Sequence, residues 1–321
     1  MKLGDLTPSE WRSQLHRHGL YFRSGPFVFA VRTTLDHVVD AMRRLYQDYP
    51  LVADRRFADF HVRVTGHRRL VPWRRQARFE IGGESRFDPF AFRDAVAYFE
   101  WGLNWCVSRH AMQYLMVHAA VVERHGRALV IVGPSGAGKS TLCAGLCSSG
   151  WRLLSDELTL LDTLTGSVTP LPRPVNLKNE SIAVIERLFP ESEFGPTVHS
   201  ARKGKLAHLR PPAESVARMD EPALPAWFLF LNFRPGSRTR LDPVPQPHAA
   251  LGIAQNCFNY GTLGLTGFEA LTRAVDHARC GRFDYGDLRD AIDFFHSPAF
   301  WEDIDRGGPP PVARREEVSH G

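Results

Sequence analysis

The feature that most constrains the fold is a glycine-rich stretch in the middle of the chain. Residues 131–141 read Ile-Val-Gly-Pro-Ser-Gly-Ala-Gly-Lys-Ser-Thr, at the end of the apolar run from Ala128 to Val132. The run predicts a buried strand, and residues 140–147 predict a helix that stops at Gly150. A strand, a glycine loop and a helix in this order are typical of a phosphate-binding loop. We therefore predict an α/β fold built around this element.

The spacing of Gly133, Gly138, Lys139 and Ser140 matches the full Walker A pattern, Gly-x-x-x-x-Gly-Lys-Ser. In such a P-loop, backbone N–H groups and the helix N-terminus hold the phosphates, and the lysine neutralises their oxygens. The serine hydroxyl can enter the shell of a Mg²⁺ ion. The predicted cofactors are therefore ATP and Mg²⁺. The predicted nucleotide-binding residues of the loop are Gly133, Pro134, Ser135, Gly136, Ala137, Gly138, Lys139, Ser140 and Thr141.

An acidic pair, Asp156 and Glu157, follows the loop after one predicted helix and one predicted strand. This short separation predicts that the pair lies at the end of the strand beside the loop. Because neighbouring strand residues point to opposite sides, we expect one carboxylate to face the metal and the other to face the acceptor. We assign Asp156 as general base and Glu157 as metal ligand or its helper. Asp156, Glu157 and Ser140 are together the candidate metal ligands.

Several features together resemble the catalytic domain of HPr kinase/phosphorylase: His118-Ala119, a hairpin, the P-loop, Ser149-Gly150-Trp151 and the acidic pair. The resemblance covers residues 115–165, and the remainder is more similar to the HPr kinase-related kinase A group. It implies a P-loop domain of the phosphoenolpyruvate carboxykinase/HPr kinase type, a mixed sheet with flanking helices. It also implies ATP-dependent phosphorylation of a serine or similar hydroxyl on a protein or peptide. His118, Lys139, Asp156 and Glu157 fall on the family's catalytic positions.

The chain departs from that family at two places. Glu157 stands where the family has a second aspartate, and residues 171–180 read Leu-Pro-Arg-Pro-Val-Asn-Leu-Lys-Asn-Glu in place of an Arg-Gly-Leu-Gly signature. These departures argue against phosphorylase activity and against HPr as the substrate. Two alternatives stay open from the residues alone, a small-molecule P-loop kinase and a non-catalytic ATP-binding scaffold. A transporter ATPase does not fit, because the Leu-Ser-Gly-Gly-Gln signature is absent.

Basic residues beyond the loop are candidates to complete the site. Arg173 and Lys178 flank an extended, proline-containing segment, and Lys203 and Lys205 lie in a segment that we expect to be a mobile loop closing on the γ-phosphate. The unusual run Asn-Cys-Phe-Asn-Tyr-Gly at residues 256–261 is a candidate contact for substrate or adenine.

Patterning divides the chain into a small α+β domain (residues 1–88), a kinase-like domain with a lead-in helix (89–306) and a polar, proline-rich tail expected to be disordered (307–321). No secretory signal or membrane-length apolar run is present, so we predict a cytoplasmic protein without a membrane partner. The net charge of +5 comes from arginine clusters without a nucleic-acid motif, which favours a solvated surface. The predicted partner is a protein or peptide substrate, and the oligomeric state stays open, a homo-oligomer included.

Overall fold

The computed structural model describes residues 1–67, 75–200 and 204–305. The predicted disordered tail (307–321) and the predicted site residue Lys203 lie outside the described residues. Within these ranges the chain forms two six-stranded and two three-stranded sheets with flanking helices, so the mixed α/β class is confirmed. Within these ranges, no helix combines the length and apolarity that crossing a membrane requires.

The N-terminal part of the chain forms a six-stranded sheet. Its strands are β1 (Leu20–Ser24), β2 (Phe27–Thr33), β3 (Phe60–His67), β4 (Gln76–Ile81), β5 (Glu84–Ser85) and β6 (Phe90–Ala91), and its helices are α1 (Pro8–Ser13) and α2 (Asp36–Leu45). β2 and β3 are parallel and are connected through α2, whereas the other neighbouring strands are antiparallel. Along β3, residues alternate between buried and exposed, as expected for a sheet with one face on a core.

Helix α3 (Ala95–His110) packs on this sheet, and its apolar residues belong to the same core cluster as those of β1 to β4. Gly102 permits the close approach, because a Cβ atom there would lie 2.1 Å from the ring of Phe79 on β4. The same helix carries two polar side chains on its inner side, the fully buried Glu100 and the half-buried Asn104. Asn104 donates a hydrogen bond to Glu157, and Glu100 accepts one from Arg173.

The second six-stranded sheet has the order β10-β8-β9-β16-β18-β17. Its strands and those of the two smaller sheets are β7 (Tyr114–Val117), β8 (Ala119–Arg124), β9 (Arg127–Val132), β10 (Arg152–Ser155), β11 (Thr159–Asp162), β12 (Val168–Thr169), β13 (Val175–Lys178), β14 (Val198–Ser200), β15 (Gly204–Leu209), β16 (Leu224–Phe233), β17 (Arg240–Pro243) and β18 (Arg279–Tyr285). The helices are α4 (Lys139–Ser148), α5 (Glu180–Leu188), α6 (Ala213–Ala217), α7 (Gln246–Ala254), α8 (Tyr260–Leu263), α9 (Leu265–Asp276), α10 (Leu288–His296) and α11 (Pro298–Asp305). The smaller sheets have the orders β12-β11-β7 and β13-β15-β14.

Strand β9 is buried on both faces, as its uninterrupted apolar run predicts. Leu129 and Ile131 face a core cluster that includes α4 and α10, and Val130 and Val132 face another that includes α7 and α9. β9, β16 and β18 are parallel, so their carboxyl ends lie at one edge of the sheet. The glycine loop leaves the sheet at this edge.

The predicted hairpin before the loop is confirmed, since β8 and β9 pair antiparallel. The sequence of residues 117–122 predicts one extended strand, but this prediction is wrong, because His118 lies at the break between β7 and β8. The acidic pair follows β10, and the prediction that this strand lies directly beside β9 and its loop is also wrong. β8 and β16 occupy the two sides of β9, and β10 pairs with β8 instead.

Candidate functional site

The glycine loop connects β9 to α4 through backbone conformations that favour glycine. Gly136 and Gly138 have φ angles of 87° and 91°, in the left-handed region that other residues rarely adopt. A Cβ atom at Gly138 would also lie 2.7 Å from the Tyr285 hydroxyl. Glycine is therefore required at this position both by conformation and by space.

The Lys139 side chain folds back over this loop. Its Nζ atom donates to the carbonyl oxygens of Gly133 at 2.7 Å and Pro134 at 3.2 Å. Burial lowers the pKa of the Lys139 ammonium, although Asp156 and Glu157 favour its charged form. Because an ammonium has three donors, these two contacts leave one N–H group for an anion.

Asp156 is the most enclosed acidic group beside the loop, with 7% of its surface exposed. Its Oδ1 atom accepts a hydrogen bond from the Ser140 hydroxyl at 2.9 Å, and its Oδ2 atom accepts one from the Asn176 backbone N–H at 3.0 Å. Burial raises the pKa of this carboxyl to about 6, and the charge of Glu157 adds to the increase, whereas the two hydrogen bonds oppose it. The Asp156 carboxyl is thus held against the first turn of α4.

The Glu157 side chain points away from that of Asp156, as expected. The cause is not the expected alternation of side chains along a strand. It follows the end of β10 and has a φ angle of 76°, a left-handed conformation that is uncommon for glutamate. Its Oε2 atom accepts a hydrogen bond from the Asn104 side-chain amide at 3.1 Å. The turn therefore directs Asp156 toward α4 and Glu157 toward α3.

Arg173 does not line the pocket at the glycine loop, although the sequence made it a candidate to complete that site. It is buried, with its Nη1 atom donating to Asn104 Oδ1 at 2.7 Å and its Nη2 atom donating to Glu100 Oε2 at 2.5 Å. The Tyr46 hydroxyl lies 2.8 Å from both carboxylate oxygens of Glu100. Asn104 was not predicted as a site residue. The one indication in the sequence was a side-chain amide within a largely apolar helical segment.

His118 lines the same pocket as the acidic pair and the loop. Its backbone N–H donates to the Asn256 carbonyl oxygen at 2.7 Å, and its ring centroid lies 5.8 Å from that of Phe258. Burial lowers the pKa of the His118 imidazole, and the charge of Lys139 lowers it further. The environment therefore favours a neutral ring.

The pocket has a volume of about 120 Å³. It brings together most of the predicted site: the lining residues include His118, Ser135, Gly136, Gly138, Lys139, Ser140, Thr141, Asp156, Glu157 and Lys178. Lys205 does not line it. This lysine lies in strand β15, not in a loop, and its backbone N–H donates to Asn179 Oδ1 at 3.0 Å.

The run at residues 256–261 has structural contacts that account for its two amides. The Asn259 side chain bonds to the Met116 N–H at 2.9 Å and to the Tyr114 carbonyl at 2.8 Å. The Asn256 side chain donates to the Gly252 carbonyl at 2.8 Å. These amides fix the segment against β7 and α7.

A second, larger pocket of about 620 Å³ adjoins the first and shares Gly136, Gly138 and Thr141 with it. Its wall includes Phe233 and Tyr285, the last residues of β16 and β18. Both pockets therefore border the glycine loop at the carboxyl edge of the parallel strands.

Comparison with known proteins gives limited matches. Residues 100–176 match a protein family described as "ScmC: SynChlorMet cassette protein ScmC", which covers less than half of the chain. A solved structure titled "Structure of the Hpr(Ser) kinase/phosphatase from Coxiella burnetii" matches with 10% identity and a TM-score of 0.26, over 60% of this chain and 99% of that one. No curated protein matches the chain.

Proposed function

We propose that this protein is an ATP- and Mg²⁺-dependent kinase that transfers the γ-phosphate to a serine or similar hydroxyl on a protein or peptide. The observation that carries the proposal is the pocket itself. It combines the glycine loop, the Lys139 ammonium, and a hydroxyl–carboxylate pair formed by Ser140 and Asp156. The choice of a protein or peptide acceptor comes from the resemblance of the motifs to those of HPr kinases.

The loop suits a phosphate chain in both shape and charge. The N-terminus of the ten-residue helix α4 and the loop N–H groups provide partial positive charge, and Lys139 adds a full one. Phosphoryl transfer depends mainly on placement and on neutralising the transferred group, so this arrangement supplies most of what the reaction requires.

The donor set also suits Mg²⁺, which prefers oxygen ligands and retains several waters. The Ser140 hydroxyl and the Asp156 carboxylate supply such oxygens 2.9 Å apart. No group of three or more His, Cys, Asp or Glu able to hold a metal exists among the described residues, so phosphate and water oxygens would complete the shell. When bound, the ion would neutralise charge on the phosphate oxygens.

The contacts favour a division of roles that differs from the initial assignment. Both oxygens of Asp156 already accept hydrogen bonds on the side of α4, which favours Asp156 as the group on the metal side. Among the described residues, the one hydrogen bond to the Glu157 side chain goes to its Oε2 atom, and Glu157 lines the pocket with His118. We therefore propose Glu157 as the group that accepts the proton of the attacking hydroxyl, with the His118 ring lining the same pocket.

The larger pocket is the place we propose for the nucleoside. Ligands of open α/β sheets bind at the carboxyl ends of parallel strands, where Phe233 and Tyr285 stand. A volume of about 620 Å³ is sufficient for a base and ribose, and Phe233 has 42% of its surface exposed for contact with a base.

The central experiment incubates the full chain with ATP labelled in its γ-phosphate, with Mg²⁺ or with EDTA, and with extracts containing candidate acceptors. Mass spectrometry then identifies what is labelled. We expect labelled protein with Mg²⁺, and loss of the label with Lys139→Ala. Transfer that survives Lys139→Ala would contradict the proposal. Label appearing only in small molecules would favour a small-molecule kinase, and ATP binding without loss of the γ-phosphate would favour a scaffold.

The nucleoside assignment has its own test, in which binding of ATP is compared with binding of inorganic tripolyphosphate. Phe233→Ala should weaken ATP binding and leave tripolyphosphate binding unchanged. Phe268→Ala is the matched control, because this phenylalanine is 54% exposed and lies on α9, outside the pocket. Equal ATP affinity in the two variants would contradict the assignment without affecting the phosphate site.

A further inference from the structure

A continuous chain of hydrogen bonds runs from the pocket into the N-terminal core. It begins at Glu157, passes through the Asn104 amide and the Arg173 guanidinium, and ends at Glu100 and Tyr46. The side chains of Arg173 and Glu100 are 5% and 4% exposed, so this ion pair is shielded from water. The pair therefore has a fixed geometry that an exposed pair would not have.

We propose that Asn104 and Arg173 are positioning residues that hold the Glu157 carboxylate at the pocket. The inference rests on the proposed function, in which Glu157 accepts a proton from the attacking hydroxyl. It extends that function by giving helix α3 a part in the reaction. Asn104 acts through Glu157 and touches no reacting atom itself.

Both the oxygen and the nitrogen of the Asn104 side-chain amide form hydrogen bonds. It donates to Glu157 and accepts from Arg173, so the guanidinium fixes which end of the amide faces the carboxylate. An aspartate at this position could still accept from Arg173, but it could not donate to Glu157. This asymmetry separates the positioning role from a merely structural one.

A small cavity behind the acidic pair provides an independent observation. Arg173, Asn176 and His208 line this cavity together with Asp156 and Glu157. Among the described residues, Arg173 Nε, Asn176 Oδ1 and His208 Nε2 are buried without a hydrogen-bond partner. Buried polar atoms without partners lower stability, so a polar cluster that serves only packing would be better replaced by apolar side chains. These three polar side chains line the cavity together with both carboxylates, which indicates that they have a role in the site.

The glutamate also needs such support for a conformational reason. Its backbone is left-handed, and a glutamate side chain has three rotatable bonds, so the turn alone does not fix the carboxylate. The bond from Asn104 restricts it to one direction. A base that is held in place transfers protons more effectively than one that samples many positions.

The test compares Asn104→Ala, Asn104→Asp and Ser108→Ala in the full chain. Ser108 is the matched control, because it lies one turn further along α3 and its hydroxyl donates within the helix, to the Trp105 carbonyl. Turnover of Mg·ATP is measured as labelled γ-phosphate transferred to water and to any identified acceptor. Thermal unfolding is recorded for each variant so that a loss of folding is recognised.

We expect Asn104→Ala to lower kcat about 10- to 100-fold with little change in the KM for ATP, as is usual when a partner of an active-site group is removed. Asn104→Asp should be at least as impaired, because it keeps the bond from Arg173 but repels Glu157. Ser108→Ala should resemble the wild type. If Asn104→Asp restores turnover, or if Asn104→Ala matches Ser108→Ala, the positioning role is wrong while the proposed function stands. A wild-type chain that neither binds nor turns over Mg·ATP contradicts the proposed function. A wild-type chain that binds Mg·ATP without transferring the γ-phosphate contradicts both the proposed function and the positioning role, because Asn104 would then have no reaction to support.

Discussion

The enclosed carboxyl of Asp156 should contribute less to stability at alkaline than at acidic pH, and Asp156→Asn should remove this contribution. Burial raises the pKa of the group from its ordinary 3.8 to about 6, so on unfolding the carboxyl releases its proton more readily. A raised pKa contributes stability that is fully present below the unfolded value of 3.8 and is lost as the pH rises through about 6. Above this range the folded state carries the full penalty of a buried charge.

The penalty corresponds to about 3 kcal/mol, at 1.36 kcal/mol for each pH unit between the two pKa values. An asparagine at position 156 retains one oxygen for the Ser140 hydroxyl or the Asn176 N–H and loses the other bond, which costs about 1 kcal/mol. The variant should therefore be more stable than the wild type by about 2 kcal/mol at pH 8, and no more stable at pH 4.

Urea unfolding of both proteins at pH 4 and pH 8, with EDTA present, measures these differences. Asp162→Asn is a control of opposite sign: although burial opposes the shift, hydrogen bonds from Thr165 and Leu164 lower the pKa of Asp162. That variant should lose stability relative to the wild type as the pH rises. If the difference between wild type and Asp156→Asn were the same at both pH values, the burial argument would be refuted.

Three further predictions concern single positions. Gly102→Ala should lower the free energy of unfolding by about 1–3 kcal/mol in urea, because the methyl group would lie 2.1 Å from the Phe79 ring. Gly261→Ala should be neutral, because an added Cβ atom there would have no neighbouring atom within 4 Å. If Gly102→Ala and Gly261→Ala changed the free energy of unfolding equally, the packing argument would be contradicted. Gly138→Ala should abolish ATP binding in calorimetry, because the residue has a φ of 91° and its methyl would contact Tyr285; wild-type affinity would show that the loop does not need this conformation. Burial lowers the pKa of His208 from 6.5, so the unfolded chain takes up the proton first and stability should fall as the pH drops below 6.5. His208→Gln should reduce this loss between pH 7 and pH 5 in thermal unfolding, and an unchanged loss would assign it to other groups.

Local patterns predicted the parts of the site that depend on neighbours in the sequence. The glycine loop between a buried strand and a helix follows from spacing and composition, and so does the hairpin before it. The position of β10 did not follow, because strand pairing is decided by partners distant along the chain. The direction of Glu157 was also missed, since a glutamate gives no sign of a left-handed backbone.

The contacts that hold the acidic pair join segments too far apart to be recognised in one sequence. Asn104 and Glu157 are 53 residues apart, and Tyr46 and Glu100 are 54 apart. Nothing in the spacing of these residues distinguishes them from ordinary polar positions. The charge of Arg173 made it a candidate phosphate contact. In the structure, Arg173 is buried and its guanidinium pairs with Glu100 instead.

The N-terminal core contributes to the site through the segment that carries Arg173. The Tyr49 hydroxyl donates to the Pro172 carbonyl at 2.6 Å, and Tyr46 bonds to Glu100, which in turn holds Arg173. Further along the chain, Arg210 Nη2 pairs with Asp48 at 2.5 Å. The Tyr49 and Glu100 contacts fix residues 172–173 from the N-terminal side, and three residues later the Asn176 N–H donates to Asp156. Both carboxylates are thus held by groups whose positions depend on the N-terminal core. The predicted division at residue 88 would separate the glycine loop from the contacts that orient its acidic partners, so we expect the two parts to act as one unit in the proposed reaction.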